Sequence, residues 1–101
     1  MKRLLVTGGK EVHFYSVNLC NYEDKGDYEL FPTEELSLDI FAIGERLMTN
    51  GNGRISGEAA EFNLEGVDIT VYKEGRLILE GVIPDTHEKA FELLERIIES
   101  G

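Results

Sequence analysis

Tryptophan is missing from this chain, and cysteine and proline are scarce, at one and two residues among 101. A lone cysteine excludes a disulfide framework and leaves no thiol cluster for zinc. Basic side chains number ten against twenty acidic ones, a net charge of -10. Nucleic-acid affinity rests on Lys and Arg neutralising phosphates, so direct nucleic-acid binding is not expected. No apolar run approaches the roughly 18–20 residues of a membrane span. The basic and then apolar start, Lys2-Arg3-Leu4-Leu5-Val6, is too short for a secretion signal. No Asn-x-Ser/Thr sequon occurs. These absences predict a cytoplasmic chain without a membrane role.

What is present suits one domain. About 100 residues is a common domain size, and 42% hydrophobic content is enough for one core. No linker, internal repeat or low-complexity tract is evident, so residues 1–101 are predicted to form a single domain. Leu4–Thr7 reads as a short strand, with Gly8-Gly9 as a two-residue hairpin turn before a longer strand over 11–20. Residues 21–27 form a polar turn. Tyr28–Phe31 reads as a returning strand stopped by Pro32. Strands are also predicted over 55–64, 67–72 and 76–82, with a tight turn at Lys73-Glu74-Gly75 and a stop at Pro84.

Two helices are predicted. Over 34–48, capped by Thr33, Leu36, Ile40, Ile43 and Leu47 fall on one helical face, although Leu36-Ser37-Leu38-Asp39-Ile40 also alternates like a strand. Asn50-Gly51-Asn52-Gly53 would end it. Over 85–99, Asp85 and Glu88 suit a capping pair, and Ala90, Phe91, Leu94, Ile97 and Ile98 make an apolar stripe. On the opposite side Glu88, Glu92, Glu95 and Glu99 recur, with Arg96 and Lys89 spaced to pair with Glu92 and Asp85. The result is an α+β domain: an antiparallel β-sheet of about five to six strands with two helices on one face.

Val67-Asp68-Ile69-Thr70-Val71-Tyr72-Lys73-Glu74-Gly75-Arg76-Leu77-Ile78-Leu79-Glu80-Gly81, followed by a helix, resembles the end of one half-repeat of the TATA-binding-protein fold. Half-repeats in the N-terminal domain of some ribonucleases H look similar. The resemblance spans residues 67–98 and implies a curved sheet backed by a helix. It carries over no functional residue, because that family's saddle uses basic residues and wedge phenylalanines that an acidic chain with one copy does not supply.

Catalytic pairings are hard to find. His13 and Cys20 lie in one predicted strand seven residues apart, which puts them on opposite faces about 23 Å apart. Without an intervening bulge they cannot form a nucleophile–base pair, and Cys20 is predicted to be a small buried residue. His87 is expected on the solvated surface. Glu23, Asp24 and Asp27 are cation candidates, although Lys25 and Pro32 break the calcium-loop pattern started at Asn21, and the stripe of Glu88, Glu92, Glu95 and Glu99 could bind a metal or a basic partner, with a solvated face as its default reading. No phosphate-loop, GxGxxG, HExxH or GxSxG motif occurs, so no cofactor is expected.

The aromatic residues remain. His13, Tyr15, Tyr28 and Tyr72 are out of phase with the core-facing strand positions or unplaced by them, and are the candidates for an interface on an uncovered sheet face. The prediction is a non-enzymatic domain that meets a protein partner, or a second copy of itself, through an open sheet face or edge strand. The alternatives are a small-ligand or cation-binding protein using residues 23–29, and an accessory subunit of a nucleic-acid-related assembly.

Overall fold

Strict alternation along the longest strand sets the architecture: Val12, Phe14 and Ser16 are buried while Glu11, His13, Tyr15 and Val17 face solvent. The computed structural model describes residues 1–7, 9–48 and 53–99. Gly8, residues 50–52 and Gly101, which carry parts of the predicted turns and the chain end, lie outside the described residues.

The elements in chain order are β1 (Lys2–Thr7), β2 (Lys10–Tyr22), β3 (Lys25–Pro32), α1 (Ile40–Leu47), β4 (Gly53–Ile55), β5 (Ala59–Leu64), β6 (Val67–Tyr72), β7 (Leu77–Val82) and α2 (His87–Glu99). The strands form one antiparallel sheet in the order β1-β2-β3-β7-β6-β5-β4. The sheet therefore has seven strands rather than five or six. The extra one arises because the predicted strand over 55–64 is two: the Ser56 hydroxyl accepts from the Glu58 and Ala59 amides at 3.4 and 3.2 Å and reverses the chain.

The helices cover one face. α2 lies over β1, β2, β3 and β7, and α1 over β4 and β5. Beneath them Phe14, Leu30, Leu77, Leu79, Val71, Ile69, Phe91, Leu94 and Ile97 form a continuous core. Arg46 of α1 donates to the Ile97 carbonyl of α2 at 2.8 Å, satisfying one of the carbonyls left open at that helix end.

Strand order is nearly the same read from either edge. A three-strand meander followed by a helix lies on each side of the β3–β7 seam, with β4 an addition at one edge. Phe41, Glu45 and Arg46 of α1 recur fifty positions later as Phe91, Glu95 and Arg96 of α2. This internal likeness was not among the expectations from sequence.

Two helix boundaries differ from those predicted. α1 begins at Ile40, not 34: Asp39 caps it, accepting from the Ala42 amide at 3.1 Å. The preceding residues use the strand-like alternation instead. Leu36 and Leu38 donate their amides to the Glu74 and Lys73 carbonyls at 3.3 and 2.8 Å, and both side chains pack against the core. α2 begins at His87, and its cap is Thr86, whose hydroxyl accepts from the Lys89 amide at 3.1 Å. Asp85 is drawn away into a contact with Tyr28.

Candidate functional site

Among the described residues no helix covers the face opposite α1 and α2, and its character changes across the sheet. Over β4–β7 it is polar. A shallow trough of about 560 Å³ is lined by Arg54, Glu61, Asn63, Asp68, Thr70 and Glu80. Much of its charge is locally matched: Arg54 Nε meets Glu61 at 2.7 Å, and the Asn63 amide donates to Asp68 at 3.1 Å.

Over β1 and β2 the same face carries an apolar cluster, with Lys2, Glu11 and His13 beside it. Leu4 is 46% exposed, Val6 59%, Tyr15 39% and Val17 43%. These residues share a face because Leu5, Phe14 and Ser16, the alternate positions, are buried. Cross-strand pairing brings Leu4 opposite His13 and Lys2 opposite Tyr15, and Tyr15 in turn lies opposite Phe31, their rings 5.7 Å apart. Monomeric domains rarely expose clustered apolar residues without a use for them.

β1 is also a sheet edge, bonded only to β2. The Ser16 amide donates to the Met1 carbonyl at 2.8 Å and the Met1 ammonium to the Ser16 carbonyl at 3.2 Å. Met1 and Ser16 are therefore a hydrogen-bonded pair. Alternation in an antiparallel ladder then makes Arg3–Phe14, Leu5–Val12 and Thr7–Lys10 hydrogen-bonded as well. Lys2, Leu4 and Val6 consequently turn their backbone N–H and C=O groups outward. Among the described residues no other strand or loop backbone bonds to them.

The structure separates the predicted interface residues. His13 and Tyr15 stand on the open face beside Leu4 and Val17. Tyr72 is on the same face but on β6, half-buried with the Arg76 guanidinium 4.3 Å above its ring. Tyr28 is not on this face: it is 2% exposed, under the helices, because it shares its side of β3 with the core residue Leu30.

Tyr28 belongs instead to a polar cluster beneath the start of α2. Its hydroxyl donates to Asp85 at 2.6 Å, and the Asn21 amide reaches the other oxygen of that carboxylate. Burial first, and then the bond to Asp85, push the Tyr28 phenol up to about 12. The His87 ring stands edge-on to Tyr28 at 5.1 Å, and its Nδ1 lies 2.9 Å from the Ser16 hydroxyl. Burial and the nearby Met1 ammonium lower the His87 pKa, against the opposing pull of Asp85. His87 is thus half-buried rather than on the solvated surface. Among the described residues Ser16 and His87 come closest to a nucleophile–base pair, but Ser16 is only 2% exposed, out of reach of a substrate. The cluster ties Met1, just ahead of β1, and the start of α2 to β2 and β3.

The remaining sequence candidates are dispersed. Glu23 and Asp24 form the β2–β3 turn, and Asp27 accepts from the Tyr22 hydroxyl at 2.9 Å and the Gly81 amide at 3.1 Å. Among the described residues no group of three or more His, Cys, Asp or Glu side chains is placed to hold an ion. Cys20 is exposed, not buried, because the bulge before it shifts the register and sets it opposite Asp27, on the open face rather than under the helices. That bulge, between Asn18 and Cys20, changes a side chain's face and not the span back to His13. On α2, Glu95 pairs with Arg3 at 3.0 Å, Glu92 with Lys89 at 3.8 Å, and Arg96 with Glu65, in place of the predicted pairs.

Leu4, Val6 and Val17 escaped sequence reasoning. Leu4-Leu5-Val6 is an unbroken apolar run, and only its register against β2 reveals which residues face outward. No family model matches the chain, and neither a curated protein nor a solved structure matches it. Among the described residues no helix is long and apolar enough to cross a membrane.

Proposed function

We propose that this chain is an interaction domain rather than a catalyst, and that it binds another protein through the apolar cluster on its open sheet face. The observation that carries the proposal is the clustering of Leu4, Val6, Tyr15 and Val17 on a face that no helix covers among the described residues. Interface cores are rich in aromatic residues, and here Tyr15 and Phe31 lie among Leu4, Val6 and Val17, with Lys2, Glu11 and Glu29 around them. Fully burying one large apolar side chain contributes about 1.5–3 kcal/mol, and these four, each about half exposed, have roughly half of that still to gain on binding. A free thiol exposed at Cys20 suits a reducing compartment such as the cytoplasm.

The test is affinity capture from native lysate with three baits: wild type, Tyr15→Glu/Val17→Glu, and Asp68→Lys in the polar half. Wild type and Asp68→Lys should retain the same partner, the chain's own copies included, while the double variant loses it. Equal recovery by all three baits, or by none, overturns the proposal.

A further inference from the structure

Resting on that reading of the face, we infer that the partner is a second copy of this chain, added edge to edge through β1 to make one continuous sheet. Two copies of a chain with net charge -10 repel, so a contact between them needs a region without acids. Residues 1–10 are that region. They hold Lys2, Arg3 and Lys10 and no acid, whereas all twenty acids lie in 11–101 with only seven cations.

The register follows from the backbone. Only Lys2, Leu4 and Val6 present outward N–H and C=O groups, so these must meet one another in an antiparallel pair. A two-fold axis through Leu4 matches them, setting Lys2 opposite Val6 of the partner subunit and Leu4 opposite Leu4 of the partner subunit. On the helix side Arg3 then lies opposite Leu5 of the partner subunit. No cation faces a cation, which is the condition such a symmetric pairing must meet, since like charges directly opposite destabilise a ladder. Arg3 is already engaged within its own copy by Glu95 and the Phe91 ring, and Lys10 by Glu34. The arrangement also joins the two apolar clusters across the axis.

The other edge is a poorer site. β4 has three residues, one of them the exposed Arg54, and it borders the acidic trough.

Light scattering coupled to gel filtration, from about 10 μM to 1 mM, reads the mass directly. Wild type should move from 11.4 kDa towards twice that value. Leu4→Pro removes an outward amide that no neighbour within the copy uses, so the fold should persist while the mass stays at 11.4 kDa. Leu4→Lys, which sets two like charges across the axis and keeps the amide, should weaken association at least tenfold and covers the case in which the proline variant does not fold. Circular dichroism confirms folding. A wild-type mass that stays monomeric, or folded Leu4 variants that still dimerise as wild type does, overturns the edge pairing. If Val17→Glu blocks dimerisation and folded Leu4→Pro does not, the open face is the contact and the edge is not. A monomer that still captures a different protein through that face would leave the interaction reading standing and remove only the second copy.

Discussion

Gly26→Ala tests whether the cluster under α2 holds the two layers together. Gly26 is buried on β3, opposite Asn21 and Val82. A methyl group there would lie 2.7 Å from the Asp85 Cγ and 2.9 Å from Tyr28 Cε1, and closer still to the carboxylate oxygen that accepts from Tyr28. The carboxylate must swing away, leaving a hydroxyl on a residue only 2% exposed without its charged acceptor. Such an orphaned group costs about 1–3 kcal/mol. Alanine returns about 0.5–1 kcal/mol through the unfolded chain. The net loss is up to about 2.5 kcal/mol and about 1 kcal/mol at the middle of both ranges, where it lowers Tm by roughly 4–8 °C for a domain of this size. Urea unfolding followed by circular dichroism measures it. In a Tyr28→Phe background there is no hydroxyl to orphan, so Gly26→Ala should cost about 1–3 kcal/mol less there. Equal costs in the two backgrounds would refute the role given to Asp85.

Other expectations follow from the same structure. The raised Tyr28 pKa adds stability that is fully present below pH 10 and is lost as pH rises towards 12, by up to about 3 kcal/mol; Tyr28→Phe should flatten that alkaline decline in Tm. The lowered His87 pKa acts in the other direction: its contribution is intact above 6.5 and drains away as pH falls below that value, because the unfolded chain takes up the proton first. His87→Asn should therefore reduce the difference in Tm measured between pH 7.5 and pH 5. Asp39→Ala removes the α1 cap and should cost about 1 kcal/mol in urea unfolding.

Fold class was legible in the sequence because its signals are local. Val67, Ile69 and Val71 alternate, Lys73-Glu74-Gly75 turns, and the stripe from Ala90 to Ile98 has one period throughout. What was not legible depended on competition between neighbours. Leu36 and Leu38 fit a helical face and an extended one, and free carbonyls at Lys73 and Glu74, far along the chain, decided for the extended form. Asp85 and Thr86 are both good caps, and the Tyr28 hydroxyl took Asp85. Of the candidate site, His13 and Tyr15 were visible as out-of-phase residues, and Val17, in phase with Tyr15 on the same strand, was legible but missed. Leu4 and Val6 needed the pairing of β1 with β2, which an unbroken apolar run does not encode.

Amide hydrogen exchange along β1, read residue by residue at low and high protein concentration, bears most directly on the open edge. In dilute protein Arg3, Leu5 and Thr7 should exchange slowly and Lys2, Leu4 and Val6 quickly. At high concentration Lys2, Leu4 and Val6 should become protected together while the rest of the sheet is unchanged. Outward amides that exchange equally fast at every concentration would contradict edge-to-edge pairing. Slow exchange at these three positions even in dilute protein would contradict an open edge altogether.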